Sequence, residues 1–566
     1  MNGKKIDVER VKKEYQKMLG YNQQIKLDET VKVNENFFIG KQWEGVQSNG
    51  LPQPVFNFLK RVVLFSVASI TTDNIKMQAT PLAVDPNTRA LQDATEVVNR
   101  DFEQLFEFND VPALMREYMR NAAVDGDSCT YTFWDPDLET GQKRKGGIRT
   151  EILGNTQVGF GNTAERSVQK QPYILIERRE MLDVLKEYAK DMKCPNADEI
   201  KPDTENHDMD DYKRQDDAVT VLTRFWKDKK TGTVWACECT QDVMIREPFD
   251  TKLKRYPITW LNWDYVRDSY HGAAMVTGLI PNQIYVNKMY AMVMISTMTS
   301  AFPKVVYDRT RVGKWNNAVG AAIGVQGGDV NSVAKIMDPA HIDPQISQMI
   351  QLVVDQTQTF QGATSVAMGD TRPDNTSAII ALQRAAATPM EITKQNLYRS
   401  IEELGRIYLD FMAANYGERE VKLSLPDDLD PAVVQFSELD PTTDRIVTFN
   451  YADLRKIPMS MKLDVGASSY WSEQASMRTL DNLLMQKLIS LRQYLERLPD
   501  GYIPKRQELI DEIQQQEAQM QAKAPATPTT APGGEITPEG IEVRGGGGYG
   551  ALQRAINSTG QVPVPA

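Results

Sequence analysis

PNQIYVNKMYAMVMISTMTSAF, residues 281–302, and PQISQMIQLVVDQTQTFQ, residues 344–361, read as two helices with a glycine-rich piece held between them. Pro281 suits a first helical turn, where no amide hydrogen is needed, and places the first helix over 282–300. The run Ile284–Phe302 is long enough to span a bilayer. It also holds Asn287, Lys288, Ser296, Thr297, Thr299 and Ser300, which are costly in hydrocarbon and fit a helix packed among others. The second helix carries Ile346, Met349, Ile350, Val353 and Phe360 as an apolar stripe. Gln345, Gln348, Gln351, Asp355, Gln356 and Gln358 form its polar side. Between the helices, Gly313, Gly320, Gly324, Gly327 and Gly328 punctuate short strand-like pieces. There Lys304, Arg309, Arg311, Lys314 and Lys335 outnumber Asp308, Asp329 and Asp338, a local basic excess.

Working outward, the N-terminal side opens with polar helix. A further helix starts near Asn57, with Phe58, Val62, Phe65 and Ser69 along one face. Residues 88–122 are a second helical stretch interrupted near Pro112, with Leu105, Phe108, Leu114, Tyr118 and Met119 suited to a core. Residues 128–270 change character. SCTYTFWD, YILIERR, AVTVLTRFW and TVWACECT are β-branched and aromatic, which predicts strands, and EMLDVLKEYAKDM interrupts them as one short helix. On the C-terminal side, the loop GATSVAMGDTRPDN leads into a helical pattern over 376–416. As one continuous helix it would be about 60 Å long. Leu397, Ile401, Leu404, Tyr408 and Phe411 make a seam along its second half, and Pro389 kinks the first half. VKLSL, RIVTFNY and MSMKLDVG return to strands, and residues 471–522 are helical. Residues 523–566 hold 9 Gly and 6 Pro, a composition expected to stay disordered. The fold class is α+β.

The chain has 566 residues and a net charge of −11, which disfavours a simple basic nucleic-acid binder. Four scattered cysteines point to a reducing compartment, and the N-terminal MNGKKIDVERVKKEYQ lacks the apolar run of a signal peptide. No GxxxxGK[ST] phosphate loop occurs. Gly545–Gly550 satisfies a dinucleotide pattern only as a glycine run, and Gly159, Gly161 and Ala164 mimic it with no helix opening after them. His207, His271 and His341 lie far apart. Cys194, Cys237 and Cys239 lack the spacing of a zinc site and read as buried thiols. The expectation is a protein that is not an enzyme, with no metal and no cofactor.

The order of these parts resembles a tailed-bacteriophage portal protein, the head-to-tail connector family. ENFFIGKQWEG and LPQPVFNFLKRVV resemble that family's aromatic-Gly-x-Gln-Trp segment and the Asn-led helix after it. YHGAAMVTGLIPNQIYVNK resembles its tyrosine-glycine and Gln-x-x-x-Asn approach to the stem. AFPKVVYDRTRVGKWNN looks like the start of the clip, and GATSVAMGDTRPDNTSAIIALQ like the tunnel loop leading into the long helix. LDVGASSYWSEQASMRTLDNLL looks like the last wing strand leading into the crown.

The resemblance implies a wing over 1–271, a stem helix over 272–301, a clip over 302–343 and a second stem helix over 344–363. A tunnel loop over 364–375, a long wing helix over 376–416 and the β part of the wing over 417–470 follow. A helical crown over 471–522 and the tail over 523–566 complete the chain. It implies a dodecameric ring at one capsid vertex of the virion, assembled in the host bacterial cytoplasm. Double-stranded DNA would pass through it, and terminase, a tail or adaptor protein and the major capsid protein would be partners, with no membrane. Thr364, Ser365, Asp370, Arg372 and Asn375 would then meet DNA in the tunnel loop. Gln345, Gln348, Gln351 and Asp355 would line the channel, and Lys304, Arg309, Arg311, Lys314 and Lys335 would dock partners. Two other readings stay open: another phage structural protein, such as a tail adaptor or scaffold, and a metal-dependent nucleic-acid enzyme.

Overall fold

The computed structural model describes residues 6–48, 50–72, 75–81, 89–139, 145–203, 217–301, 304–316, 322–336, 345–363, 390–423, 445–457 and 459–465. It also describes 480–486, 489–491, 494–495 and 509. The chain divides into two units, Met1–Ala475 and Ser476–Ala566. Within the second, the Tyr494 hydroxyl donates to Asp481 at 2.6 Å, and Leu495 is buried.

The first unit opens with three helices, α1 (Val8–Gln24), α2 (Leu27–Ile39) and α3 (Phe58–Ile70). Strand β1 (Ile75–Pro81) follows, then α4 (Arg89–Phe108) and α5 (Val111–Asp125). The break before Pro112 falls at Asp110, which takes a left-handed conformation and caps α5 by accepting from the Ala113 amide. Next come β2 (Asp127–Asp135), β3 (Gly147–Leu153), β4 (Val158–Phe160), β5 (Ile174–Met181) and α6 (Leu182–Asp191). They are followed by β6 (Ala218–Lys227), β7 (Val234–Cys239), β8 (Met244–Asp250) and β9 (Ile258–Asn262). Then α7 (Met275–Ala301) leads to β10 (Val305–Tyr307), β11 (Ala334–Ile336) and α8 (Gln345–Phe360). Last are α9 (Glu391–Asn415), β12 (Glu418–Leu423), β13 (Arg445–Asn450) and β14 (Met459–Val465). The structure is thus mixed helix and strand, as the sequence predicts.

All strand pairings in the described sheets are antiparallel. One sheet runs β3-β2-β9 and another β4-β5-β6-β7-β8, while β1 pairs with β14, β10 with β11, and β12 with β13. Helix α9 rests on the three-stranded sheet with its predicted seam, Leu397, Ile401, Leu404, Tyr408 and Phe411, fully buried. Polar pins fix it there. Tyr118 of α5 bonds both Thr259 of β9 (3.1 Å) and Ser400 of α9 (2.8 Å), and Tyr408 bonds Thr150 of β3 (2.8 Å). A buried ion pair fastens α1 to the five-stranded sheet. Arg224 of β6 donates to Glu14 at 2.5 and 3.2 Å, with its guanidinium between the rings of Tyr173 and Trp226.

Several details differ from the sequence reading. The buried face of α3 is Leu59, Val62, Val63, Ser66, Val67 and Ile70, so Phe58, Phe65 and Ser69 lie at its margin. Phe108 stands half-exposed with Arg149 over its ring. Helix α7 starts at Met275 rather than at Pro281, which lies inside it. Burial of Met275, Val276 and Leu279 extends the helix backward past the proline. The inner face of α8 is Ile350 and Thr357, whereas Met349 and Phe360 point outward. The beginning of the 376–416 pattern, Pro389, most of 471–522 and all of 523–566 lie outside the described residues. Cys194, Cys237 and Cys239 are free and buried, as read, and so is Cys129.

Candidate functional site

Segments far apart in sequence meet where α7 leaves the sheets. Gln283 and Asn287 are polar residues one turn apart on α7, and both are buried. Buried amides are costly unless every group finds a partner. Here the partners come from the loop between α2 and α3. Gln283 accepts from the Leu59 amide (3.2 Å) and donates to the Phe56 carbonyl (2.7 Å) and to Asn287 (3.0 Å). Asn287 donates to Gln42 at 2.6 Å and accepts from the Phe56 amide at 3.3 Å. Gln42 passes the chain on to the Phe37 carbonyl. Asn57 donates to the Phe38 carbonyl and caps α3 through the Lys60 amide. Trp43 closes the loop by donating to the Pro54 carbonyl at 2.9 Å. The Gln-Trp segment, the Asn-led helix and the Gln-x-x-x-Asn motif are therefore parts of one network.

A second anchor lies just before α7. The Asp127 carboxylate is fully buried at the start of β2. It accepts from the Gly272 amide (2.6 Å) and from Asn262 (2.6 Å), and it meets His271 Nδ1 at 2.7 Å. Tyr21 of α1 stacks on Tyr270 and His271. Gly272 is required by space. A Cβ there would stand 2.5 Å from the Asp264 carbonyl oxygen and 3.1 Å from Asp127. Asn34 of α2 adds a third tie, donating to the Val124 carbonyl and to Thr277 of α7. Burial raises the neighbouring Asp125 carboxyl to about 7, against the pull of Arg120, which is itself held by Glu35.

Beyond this root the helix pair changes character. No α7 residue after Asn287 is buried, and α8 buries only Ile350 and Thr357. Asn282 donates to Thr357 at 3.0 Å and sets the two helices level with each other. Met292, Met298, Leu352 and Phe360 are 51%, 55%, 48% and 77% exposed, a large apolar surface for one chain to leave uncovered. Gln345, Gln348, Gln351 and Asp355 are all exposed, with Gln351 donating to Asp355 at 2.8 Å. Spaced at 100° per residue, they fall within an arc of about 120°, a single broad stripe of α8.

The glycine-rich module is a small hairpin of β10 and β11. Only Val312 and Val333 are buried among its described residues, with Tyr307 stacked on Trp315. Arg311 does internal work. It donates to the Gly327 carbonyl (2.5 Å), the Asp329 carbonyl (3.1 Å) and Ser332 (3.0 Å). Gly327 and Gly328 have positive φ, and a Cβ on Gly328 would collide with that guanidinium. Lys304, Arg309, Lys314 and Lys335 are exposed. Thr364, Ser365, Asp370, Arg372 and Asn375 lie outside the described residues, as do His207 and His341. Among the described residues no group of three or more His, Cys, Asp or Glu could hold a metal ion, and no helix is long and apolar enough to cross a membrane.

Residues 173–533, more than half of the chain, match the family model of the phage P22-like portal protein. The chain belongs to this portal family. No individual curated protein matches it. The family is a structural one. Portal membership gives the network at the root of α7 its meaning, since that root joins the matched region to the preceding helices. Gln42, Trp43 and Asn57 lie before the match, yet they bond directly to Gln283 and Asn287 within it or frame the loop that does. Sequence reading missed Asp127 and Asn34 in this portal chain. No spacing marks either one. The signal that was available is the pair Gln283 and Asn287, two amides one turn apart on a largely apolar helix, which demands buried partners elsewhere.

Proposed function

We propose that this chain assembles as a closed ring at a capsid vertex and forms the channel through which double-stranded DNA is packaged and ejected. The carrying observation, beside family membership, is the helix pair. It is rooted in a satisfied polar network and then extends with apolar side chains exposed in the single chain. In a ring, neighbouring copies cover that surface. Helix α8 supplies a channel wall rich in Gln345, Gln348 and Gln351, with Asp355 as its one charge, so DNA meets hydrogen-bonding groups without a cationic grip. The module between the helices is the clip. Lys304, Arg309, Lys314 and Lys335 steer terminase and then a tail or adaptor protein onto it, while Arg311 holds the clip's own shape. Residues 364–375, with Thr364, Ser365, Asp370, Arg372 and Asn375, form the loop that touches DNA. The major capsid protein surrounds the wing.

Imaging of the purified full chain by negative stain tests this reading. Closed rings with an axial channel are expected. Particles with no channel, at concentrations where other purified assemblies persist, contradict it.

A further inference from the structure

The two helices of the pair carry one charge each. Over Met275–Ala301 it is Lys288, and over Gln345–Phe360 it is Asp355. Both are exposed. Lys288 has no carboxylate within ion-pair distance among the described residues, and Asp355 receives only the Gln351 amide at its carboxylate.

Their placement on the helices is specific. The Asn282–Thr357 bond defines the face each helix turns to the other. Opposite that face, α7 presents Ile284, Lys288, Ala291 and Ile295, spaced four, three and four residues apart. Opposite its own inner face, α8 presents Gln348, Leu352, Asp355 and Thr359, with the same spacing. Each outward face is therefore a stripe with one charge among apolar or neutral residues, and the two charges are of opposite sign. A stripe on one side of the pair and a complementary stripe on the other is the pattern of a head-to-tail contact that repeats around a closed ring. The helices run antiparallel with 282 level with 357, so Lys288 sits about four residues from the level of Asp355. That is an axial offset of about 6 Å, within reach of a flexible lysine side chain.

We infer that the α7 face bearing Lys288 docks on the α8 face bearing Asp355 of the next copy, the two charges pairing across the joint. The inference rests on the ring reading above and adds which faces meet and which pair sets their register. Ile284, Ala291 and Ile295 supply the apolar contact with Leu352, and the ion pair excludes sliding by a turn. This pairing moves Gln348 and Asp355 from the channel wall proposed above into the joint between copies, where Asp355 no longer presents a charge to DNA.

Cysteine pairing in the full chain tests it, and the four native cysteines are buried and leave a low background. Lys288→Cys and Asp355→Cys chains are mixed, assembled and mildly oxidised with copper–phenanthroline. Covalent dimers are expected in the mixture and not from either variant alone. Charge exchange gives an independent readout. Lys288→Glu and Asp355→Lys should each lower ring yield about tenfold, and the double variant should restore it. Wild-type-like rings from both single variants, with no cross-link in the mixture, overturn the pairing and leave the ring reading standing. A double variant no better than the singles also overturns it. Absence of rings from the wild-type chain overturns both.

Discussion

The root of α7 and its far end are one continuous helix, but they are built by opposite rules. At the root every turn meets buried partners, from Asn34 and Asp127 to Gln42 and the Phe56 backbone. Past Asn287 the helix has no buried residue, and the β10–β11 module beyond it buries two valines among its described residues. The region around the root can thus specify much of its own structure within a single chain, because the Gln283–Asn287 network is satisfied internally, while His271 Nε2 and Asp125 Oδ1 nearby stay buried without a hydrogen-bond partner. The outer part of the α7–α8 pair carries apolar side chains exposed in the single chain, which on the ring reading neighbouring copies cover. Changes at the root should therefore act on folding, and changes further out on assembly.

Gly272→Val should give the largest effect. A side chain there must displace the Asp264 carbonyl and the Asp127 carboxylate together. We expect loss of soluble folded protein, or a fall of more than about 4 kcal/mol in wing stability measured by denaturant unfolding. Gln283→Ala or Asn287→Ala should rank next. Each strands buried backbone or amide groups, at a cost of about 2–4 kcal/mol for the network. Either variant with a wild-type unfolding midpoint would erase the proposed contrast.

A smaller effect should come from pH. Burial raises Asp101 from 3.8 to about 6, against its hydrogen bond from Tyr451. A folded-state value above the unfolded one gives stability that is complete below about pH 4 and lost as pH rises through 6. Acidifying from pH 7.5 to 5 should thus return on the order of 1 kcal/mol to the wing. Asp125, raised to about 7, acts in the same direction. Asp101→Asn should flatten part of this slope in thermal melts over that range, and an unchanged slope would remove Asp101 from the account. The smallest global effect should belong to Arg311→Ala. Its bonds are all within the clip, so amide exchange over 304–336 should rise at least tenfold while the wing's melting temperature stays put. A lowered wing melting temperature would show that clip and wing are one cooperative unit.

Much of this arrangement was legible in the residues. Long β-branched runs such as AVTVLTRFW announce β6, and the four-three spacing from Leu397 to Phe411 marks the buried face of α9. Short strands were less visible. GIRTEIL and ITWLN form β3 and β9 because they flank β2, a tertiary fact that local propensity does not carry. The face of α3 was misplaced because FLKRVVLFSVASI is apolar nearly all round, so periodicity cannot choose a side. Pro281 suits a helix start, since a first turn tolerates proline, but burial of Val276 and Leu279 outweighs that preference. At the candidate site, Gln283 and Asn287 stood out as motif letters. Their partners did not, because backbone carbonyls such as those of Phe56 and Phe37 leave no mark in a sequence.

Hydrogen exchange on the full chain, compared between dilute monomer and assembled particle, tests the contrast most directly. The account predicts that residues 111–135 are equally protected in both states. Residues 288–301 and 345–360 should exchange quickly in the monomer and at least tenfold more slowly once assembled. Equal protection of those two segments in both states would contradict the claim that assembly completes the stem.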